Sequence, residues 1–361
     1  MTADLQPASS AERPVAASSA VAAGPADAEQ PDAPDAPDAP DVTVVVVTRN
    51  NADVIVDCLA ALPAAFDGEL SWRAVVVDNA SVDDTALLAA KANPDVLLLA
   101  TDANSGYAAG LNAGLAALTP RRAVLVINPD VRLDRGSVQA LWAALRPFDT
   151  GICVPSLRDA RGQLRHSLRR EPTVLRALSE AVLGSDRSGR TATLGEVVID
   201  DRLYAAPQVA DWASGAAMLI SKECLDAVGP WDESFFLQSE DAEFILRARD
   251  HGFLLRYVPS AGAVQLGDER HSTPQLWALG QMNRVRLQLH RRGLVAAHAM
   301  RWVLVLSAAL RARRSPAHGR ALRLLLSINP GVGFPPVASL IEASVVSSDL
   351  SISSDPSMVN S

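Results

Sequence analysis

The stretch Val42-Thr43-Val44-Val45-Val46-Val47-Thr48 is an unbroken run of β-branched residues. Such side chains favour strands, and a run without polar alternation marks a strand buried on both faces. Working outward, Asn50 to Leu62 reads as a helix closed by Pro63. Trp72–Val77 repeats the buried-strand pattern and stops at Asp78, after which Ser81 opens another helix as its cap. Val96–Ala100 and Ala123–Ile127 read as a third and a fourth strand. Small-residue-rich Gly106–Leu118 and Arg135–Leu145 read as helices. Strand and helix alternating in this rhythm predict βαβ units, an α/β fold whose mostly parallel, Rossmann-like sheet is flanked by helices on both faces.

Beyond Gly151–Pro155 the pattern loosens into a polar, Arg-rich insertion over 156–210 with weak helical stretches. Ala216–Ile220 and Phe253–Val258 resume as strands, with a helix over Glu240–His251 between them. The chain is helical again from Gln275 to Leu326. Residues 1–41, built of Ala, Pro, Asp and Ser, cannot bury a core and read as a disordered acidic tail; 331–361 reads as a Ser-rich disordered tail. The expected organisation is therefore a tail over 1–41, a catalytic domain over 42–267, a basic helical extension over 268–330 and a second tail over 331–361.

The 361 residues carry a net charge of -8, but residues 1–42 alone hold eight acids and one base. The remainder is close to neutral, and 271–330 contains ten arginines and no acid. Cys58, Cys153 and Cys224 fit no metal or CxxC spacing, which excludes a disulfide scaffold or zinc module and fits a reducing, cytoplasmic setting. No run of about 20 apolar residues predicts a membrane span, and the N-terminus lacks a signal-peptide pattern.

In an open parallel sheet, ligands bind outside the carboxyl ends of the strands. Polar groups stand there four times: Thr48-Arg49-Asn50, Asp78-Asn79-Ala80-Ser81, Thr101 to Gly106, and Asn128-Pro129-Asp130. Each alone is ordinary turn or cap chemistry; together they outline a site. GxGxxG and GxxxxGK[ST] are both absent after the first strand, which removes support from nicotinamide and P-loop chemistry. A nucleotide can instead be held by side chains, with Asp78 accepting the imide N–H of a uracil or thymine. Asp130 is placed to hold a divalent cation against a diphosphate.

These segments resemble the inverting family-2 glycosyltransferases of GT-A fold, especially rhamnosyltransferase-type members. The likeness is carried by Val44-Val-Val-Val-Thr-Arg-Asn50, Val75 to Thr85, Asn104-Ser-Gly-Tyr-Ala-Ala-Gly-Leu-Asn112 and Leu125 to Val131. It continues through Ala213-Ser-Gly-Ala-Ala-Met218, Gly229 to Phe236 and Ser239-Glu-Asp-Ala-Glu243. It spans about 42–265.

The resemblance implies sugar transfer from a nucleotide diphosphate sugar, with dTDP-rhamnose a candidate donor and a glycan or lipid-linked hydroxyl as acceptor, in cell-wall or surface polysaccharide synthesis. It implies donor contacts from Thr48, Asn50, Asp78, Asn79, Ser81, Asn104, Gly106, Asn112 and Asn128. Asp130 would hold Mg2+ or Mn2+. Asp241 would act as general base with Glu240 beside it, and Ser214, Gly215, Trp231, Asp232 and Glu233 would meet the acceptor. Two positions depart from the family pattern. Arg49 replaces a frequent aromatic and is either a phosphate contact or incidental. Gln265 replaces a metal-binding His, for which His271 is either a substitute ligand or a surface residue.

The Trp-bearing basic helices of 271–330 fit an anionic membrane surface, which would put the enzyme peripherally on the inner face of the cell membrane. A helical cap or a dimer interface fits them equally. Nucleic acid is not an expected partner, because no recognition module is present. A same-fold nucleotidyltransferase, which would need glycine after the first strand, and a non-catalytic subunit of a polysaccharide assembly are the competing functions.

Overall fold

The computed structural model describes residues 39–68, 70–147, 149–191, 193–267 and 273–334. Residues 1–38 of the expected 1–41 tail, His271 and residues 335–361 lie outside the described residues, as does the side chain of Asp186.

The α/β reading holds. Strands β1 (Val42–Thr48), β2 (Trp72–Asp78), β3 (Leu97–Ala100) and β4 (Ala123–Ile127) are followed by β5 (Val131–Leu133), β6 (Thr150–Arg158), the short β7 (Leu168–Arg169), β8 (Gln208–Ala210), β9 (Trp212–Ala213), β10 (Ala217–Ser221) and β11 (Leu254–Gln265). A nine-stranded sheet has the order β3-β2-β1-β4-β10-β6-β11-β5, with β8 also on β11; β7 and β9 form a separate pair. Strands β3, β2, β1 and β4 are parallel, while β5, β8 and β10 run against their neighbours. The chain moves from β1 outward to β2 and β3, then crosses back to β4 on the other side of β1. That reversal opens a crevice at the carboxyl ends of β1 and β4, the switch point at which such sheets bind ligands.

The continuous apolar runs have two covered faces. On one, Val42, Val44 and Val46 pack with helices α1 (Ile55–Ala65) and α4 (Ser137–Ala144), with α2 (Thr85–Ala92) at the margin. On the other, Val45 and Val47 pack with α3 (Tyr107–Ala117) and α8 (Glu240–Asp250). The small residues of α3 let it lie directly on the strands. A Cβ on Gly110 would fall 2.6 Å from Val47 Cγ1, and one on Gly114 2.8 Å from Val45 Cγ1.

Several boundaries differ from the sequence expectation. Pro63 lies inside α1, which runs on to Ala65. Ser81 does not cap α2, which begins at Thr85; its hydroxyl is drawn to Asp78 instead. Asp41, counted with the tail, is buried and ion-paired with Arg121 at 2.9 Å. The last strand extends to Gln265 because β5 gives its far end a partner.

The insertion forms α5 (Val174–Leu183), α6 (Ser185–Gly189) and a 3-10 turn at Asp201–Tyr204, and α7 (Lys222–Val228) precedes α8. The C-terminal region is α9 (Pro274–Arg311) and α10 (Pro316–Ser327). By length and composition α9 is long and apolar enough to cross a membrane, its most apolar window having a mean hydropathy of 1.6; the sequence reading found no such span. However, Gly293 sits at φ 78° and ψ -174° and breaks the helix. Arg284 ion-pairs with Glu180, and Arg311 donates to the carbonyl of the same Glu180. A straight helix would separate those two positions by about 40 Å, so α9 folds back on itself as a hairpin. Leu279, Met282 and Val285 from its first arm meet Ala297, Met300 and Leu304 from its second, with Leu325 of α10 and Ala177 of α5.

The close approach of α3 sets a test. Gly→Ala in a helix normally stabilises by about 1 kcal/mol. At Gly110 the added methyl collides with Val47, and overpacking typically costs about 1–3 kcal/mol. Gly110→Ala is therefore expected to lower the urea midpoint; a raised midpoint would show that α3 has room to spare.

Candidate active site

A cleft of about 1250 Å³ opens at the switch point, lined among others by Thr48, Arg49, Asn50, Asn79, Asn104, Gly106, Asn128, Asp130, Ser214, Gly215, Glu240 and Asp241. Its volume exceeds that of common small-molecule pockets, about 300–1,000 Å³. Most of the residues singled out from sequence therefore converge, although they come from six separate chain segments.

Asp241 stands in the first turn of α8. Its Oδ2 accepts the Gly215 N–H at 2.8 Å and its Oδ1 the Ala242 N–H at 2.7 Å. A side chain at position 215 would be crowded out, since a Cβ there would lie 2.9 Å from Asp241 Cβ. Burial pushes the Asp241 carboxyl above its ordinary value, with the two N–H groups and the Arg169 guanidinium pulling the other way. Glu240 is buried beside it and its Oε2 has no hydrogen-bond partner among the described residues. Burial first, then the neighbouring Asp241 charge, raises the Glu240 carboxyl far above the usual range.

The loop before this pair is strained. Phe236, Gln238 and Ser239 have φ of 61°, 68° and 73°, a region non-glycine residues rarely occupy. Buried Asn283 of α9 holds it there, its amide nitrogen reaching the carbonyls of Phe235 at 2.7 Å, Gln238 at 2.8 Å and Leu237 at 3.0 Å. The first arm of α9 also lines the cleft with Trp277, Gln281 and Arg284.

At the end of β4, Asn128 accepts the Tyr107 hydroxyl at 2.9 Å. Tyr107 is kept neutral by burial, with Glu240, Asp241 and Asp130 adding to the effect, so it remains a donor. Asp130 Oδ2 accepts from Gln265 Nε2 at 3.2 Å and from the Gly267 N–H at 3.1 Å. Gln265 thus meets Asp130 where the family pattern leads to a His; His271 lies outside the described residues. Among the described residues no group of three His, Cys, Asp or Glu side chains is arranged to hold a metal. A single exposed-edge carboxylate is a donor set suited to a hard cation that takes its other ligands from water and phosphate.

Other sequence candidates serve as scaffold. Asn79 donates to the Gly106 carbonyl at 3.0 Å and accepts the Ser105 N–H at 2.9 Å, fixing the 104–106 turn. Asp78 is taken up by Ser81 through the hydroxyl at 2.5 Å and the N–H at 3.2 Å. Ser81 in turn accepts the Asn50 N–H at 2.9 Å. Asn112 spends its amide on the Trp231 backbone and on Glu233 Oε1. Trp231 is buried and stacked on Phe244, centroids 4.0 Å apart, rather than facing the cleft. Asp232 caps the following turn at Ser234, near His290. Sequence reasoning missed Tyr107, Arg169, Trp212, Trp277, Gln281, Asn283 and Arg284. Tyr107 lay inside a quoted motif and was legible; the others sit in the insertion, on β9 or on α9, where no local pattern marks them out.

Residues 43–194 match the family described as glycosyl transferase family 2. The chain is 33% identical over 243 residues to the N-acetylglucosaminyl-diphospho-decaprenol L-rhamnosyltransferase of Mycobacterium tuberculosis, covering 64% of this chain and 76% of that protein. It is 26% identical over 204 residues to a low-salt glycan biosynthesis hexosyltransferase of Haloferax volcanii, covering 55% of this chain and 59% of the relative. Among solved structures, the mannosyltransferase of Pyrobaculum calidifontis in complex with GDP-Man and Mn2+ superposes with a TM-score of 0.50 at 17% identity, over 86% of this chain and 81% of that one. With this sheet, this cleft and these likenesses, the chain belongs to glycosyltransferase family 2 and is a glycosyltransferase of GT-A fold.

Proposed function

We propose that the enzyme is inverting: it moves a sugar from a nucleotide diphosphate donor to the hydroxyl of a glycan or lipid-linked acceptor, in cell-wall or surface polysaccharide synthesis. Rhamnose is the favoured sugar, by likeness to the M. tuberculosis rhamnosyltransferase, whose name also specifies a lipid diphosphate acceptor. The observation that carries the reading is the half-buried Asp241, fixed by the Gly215 N–H at the cleft's floor.

An acceptor hydroxyl is a weak nucleophile, and a carboxylate within hydrogen-bond reach removes its proton as the new bond forms. Asp241 fills that role, and its raised pKa makes it a stronger base than a surface carboxylate. Direct attack needs no nucleophilic carboxylate, and Glu196, a further acid lining the cleft, is engaged by Arg284 at 2.6 Å. On the donor side, Thr48, Asn50, Asn104 and Asn128 offer neutral donors and acceptors to the nucleotide and sugar. Asp78, Asn79, Ser81 and Gly106 shape the turns that present them. Asp130 would hold Mg2+ or Mn2+ with the donor diphosphate, and the bound cation would offset the charge that gathers on the leaving group. Ser214 and Gly215 border the acceptor, with Arg169 and Trp212 beyond them; Trp231, Asp232 and Glu233 support α3 and α8 from behind.

Three outcomes test this. Asp241→Asn is expected to cut kcat at least about a hundredfold while nucleotide diphosphate affinity by calorimetry stays near wild type; undiminished turnover would pass the base role to Glu240. Asp130→Ala should abolish the gain in thermal stability that a nucleotide diphosphate confers with Mg2+ or Mn2+ over the nucleotide alone. An unchanged metal-dependent shift would put the cation elsewhere.

The third outcome is a stability effect with a definite sign. The folded-state pKa of Glu240 lies above its unfolded value, so ionisation favours the unfolded chain. The resulting loss is absent at pH below the ordinary carboxylate range and grows as pH rises from there to the raised folded value. Glu240→Gln should therefore melt higher than wild type at pH 8, with the difference shrinking toward pH 4. A lower melting temperature for the variant at pH 8 would mean that the ionised Glu240 has a compensating partner.

A further inference from the structure

The second arm of α9 carries two apolar faces. Ala297, Met300, Leu304 and Ala308 are buried on one side. Directly opposite, Val295 (85% exposed), Trp302 (56%), Leu306 and Leu310 (62%) stand in water. The single charge between Gly293 and Arg311 is Arg301, whose guanidinium donates to the carbonyls of Leu325 at 2.7 Å and Leu326 at 3.0 Å while lying over the Trp302 ring, 4.9 Å from its centroid. Helix α5 repeats the design. Ala177 and Ala181 are buried against the hairpin, while Leu175, Leu178 and Val182 (67%) are exposed on the far side. Arg311 ties the two helices, donating to the Ala181 carbonyl at 2.9 Å.

We infer that these two outward faces, on α5 and on α9 after Gly293, form a single docking surface for an anionic lipid bilayer. Exposed apolar faces on two helices tied together by Arg311 mark an interaction surface, and the charge beside them selects the occupant. Arg313, Arg314 and Arg323 are exposed just beyond the apolar arm, and with Arg320 they form no ion pair among the described residues. Residues 273–334 contain no acid that could pair with them from within the hairpin. A second copy docked symmetrically on the same face would bring two like arginine clusters together, whereas anionic headgroups beside an acyl interior match both the charge and the apolar faces. The broken helix lies on the bilayer rather than crossing it, because the fold-back at Gly293 leaves its first arm packed on the cleft. This surface stands apart from the sugar-transfer reading, and its test contains no substrate, so either can fail alone.

The measurement is co-sedimentation of the full chain with phosphatidylglycerol-containing vesicles and with pure phosphatidylcholine vesicles, across salt concentrations, alongside light scattering for oligomeric state. Wild type is expected to bind the anionic vesicles preferentially. Val295→Ser/Leu306→Ser/Leu310→Ser and, separately, Leu178→Ser/Val182→Ser should each weaken the partition coefficient at least tenfold. Arg313→Gln/Arg314→Gln/Arg323→Gln, which leaves the packing untouched, should remove the salt-sensitive part of binding. Equal, negligible sedimentation of wild type with both vesicle types would overturn the proposal. So would a wild-type dimer that the Ser variants turn into a monomer, or full binding by the α5 variant.

Discussion

The contact between the Asp241 carboxylate and the Gly215 N–H organises the candidate site. A carboxylate sheltered from water needs compensation, and here backbone N–H groups supply it at 2.8 and 2.7 Å. Its requirements propagate outward. Position 215 admits only glycine, because a Cβ would meet Asp241. The turn between β9 and β10 must bring that N–H to the start of α8, which fixes β10 against β4 at the switch point. The approach to α8 needs positive φ at Phe236, Gln238 and Ser239. That strain persists because Asn283 holds the surrounding carbonyls from α9. The C-terminal helices are in this sense part of the scaffold of the candidate site, although they lie outside the parallel sheet.

Polar residues at the strand ends divide into those facing the cleft and those building it. Asn79 shows why the distinction is physical: an amide has few hydrogen-bonding positions, and the 104–106 turn occupies both ends of this one. Asp78 and Ser81 satisfy each other and thereby fix Asn50. Asn112 is spent on the segment around Trp231. These residues shape the cleft at one remove, by setting the turns from which Asn50, Asn104 and Asn128 project.

This division also limits what the linear chain reveals. Strands β1, β2 and β4 are legible because a strand covered on both faces must be apolar throughout, and few other structures demand that. Asp130 and the Glu240-Asp241 pair, taken alone, are ordinary turn and helix-start acids, and they become legible only through the motifs that surround them. Trp231 is not: stacking on Phe244 and stacking on a sugar ring ask for the same side chain. Pro63 is tolerated within α1 although proline is a common helix stop, which makes it an unreliable boundary. The hairpin in α9 turns on one residue, Gly293, in an otherwise uninterrupted helical pattern. Its fold-back depends on partners in the insertion, Glu180 above all, that are distant in sequence.

Helix α9 joins the two surfaces on which a lipid-linked acceptor would depend. Its first arm gives Trp277, Gln281 and Arg284 to the cleft, and its second arm carries the outward apolar face. Between them, Glu180 and Glu196 clasp Arg284, while Glu180 and Ala181 receive Arg311, so the insertion and both arms are tied into one packed unit. With that face seated on a bilayer, the distance from the lipid surface to Asp241 is set by rigid packing rather than by a flexible linker. An acceptor whose hydroxyl sits at a fixed height above its lipid would then reach Asp241 without the enzyme leaving the membrane. A fixed height discriminates among acceptors by the length of the head group between lipid and hydroxyl, a selection that the chemistry of the cleft alone does not provide.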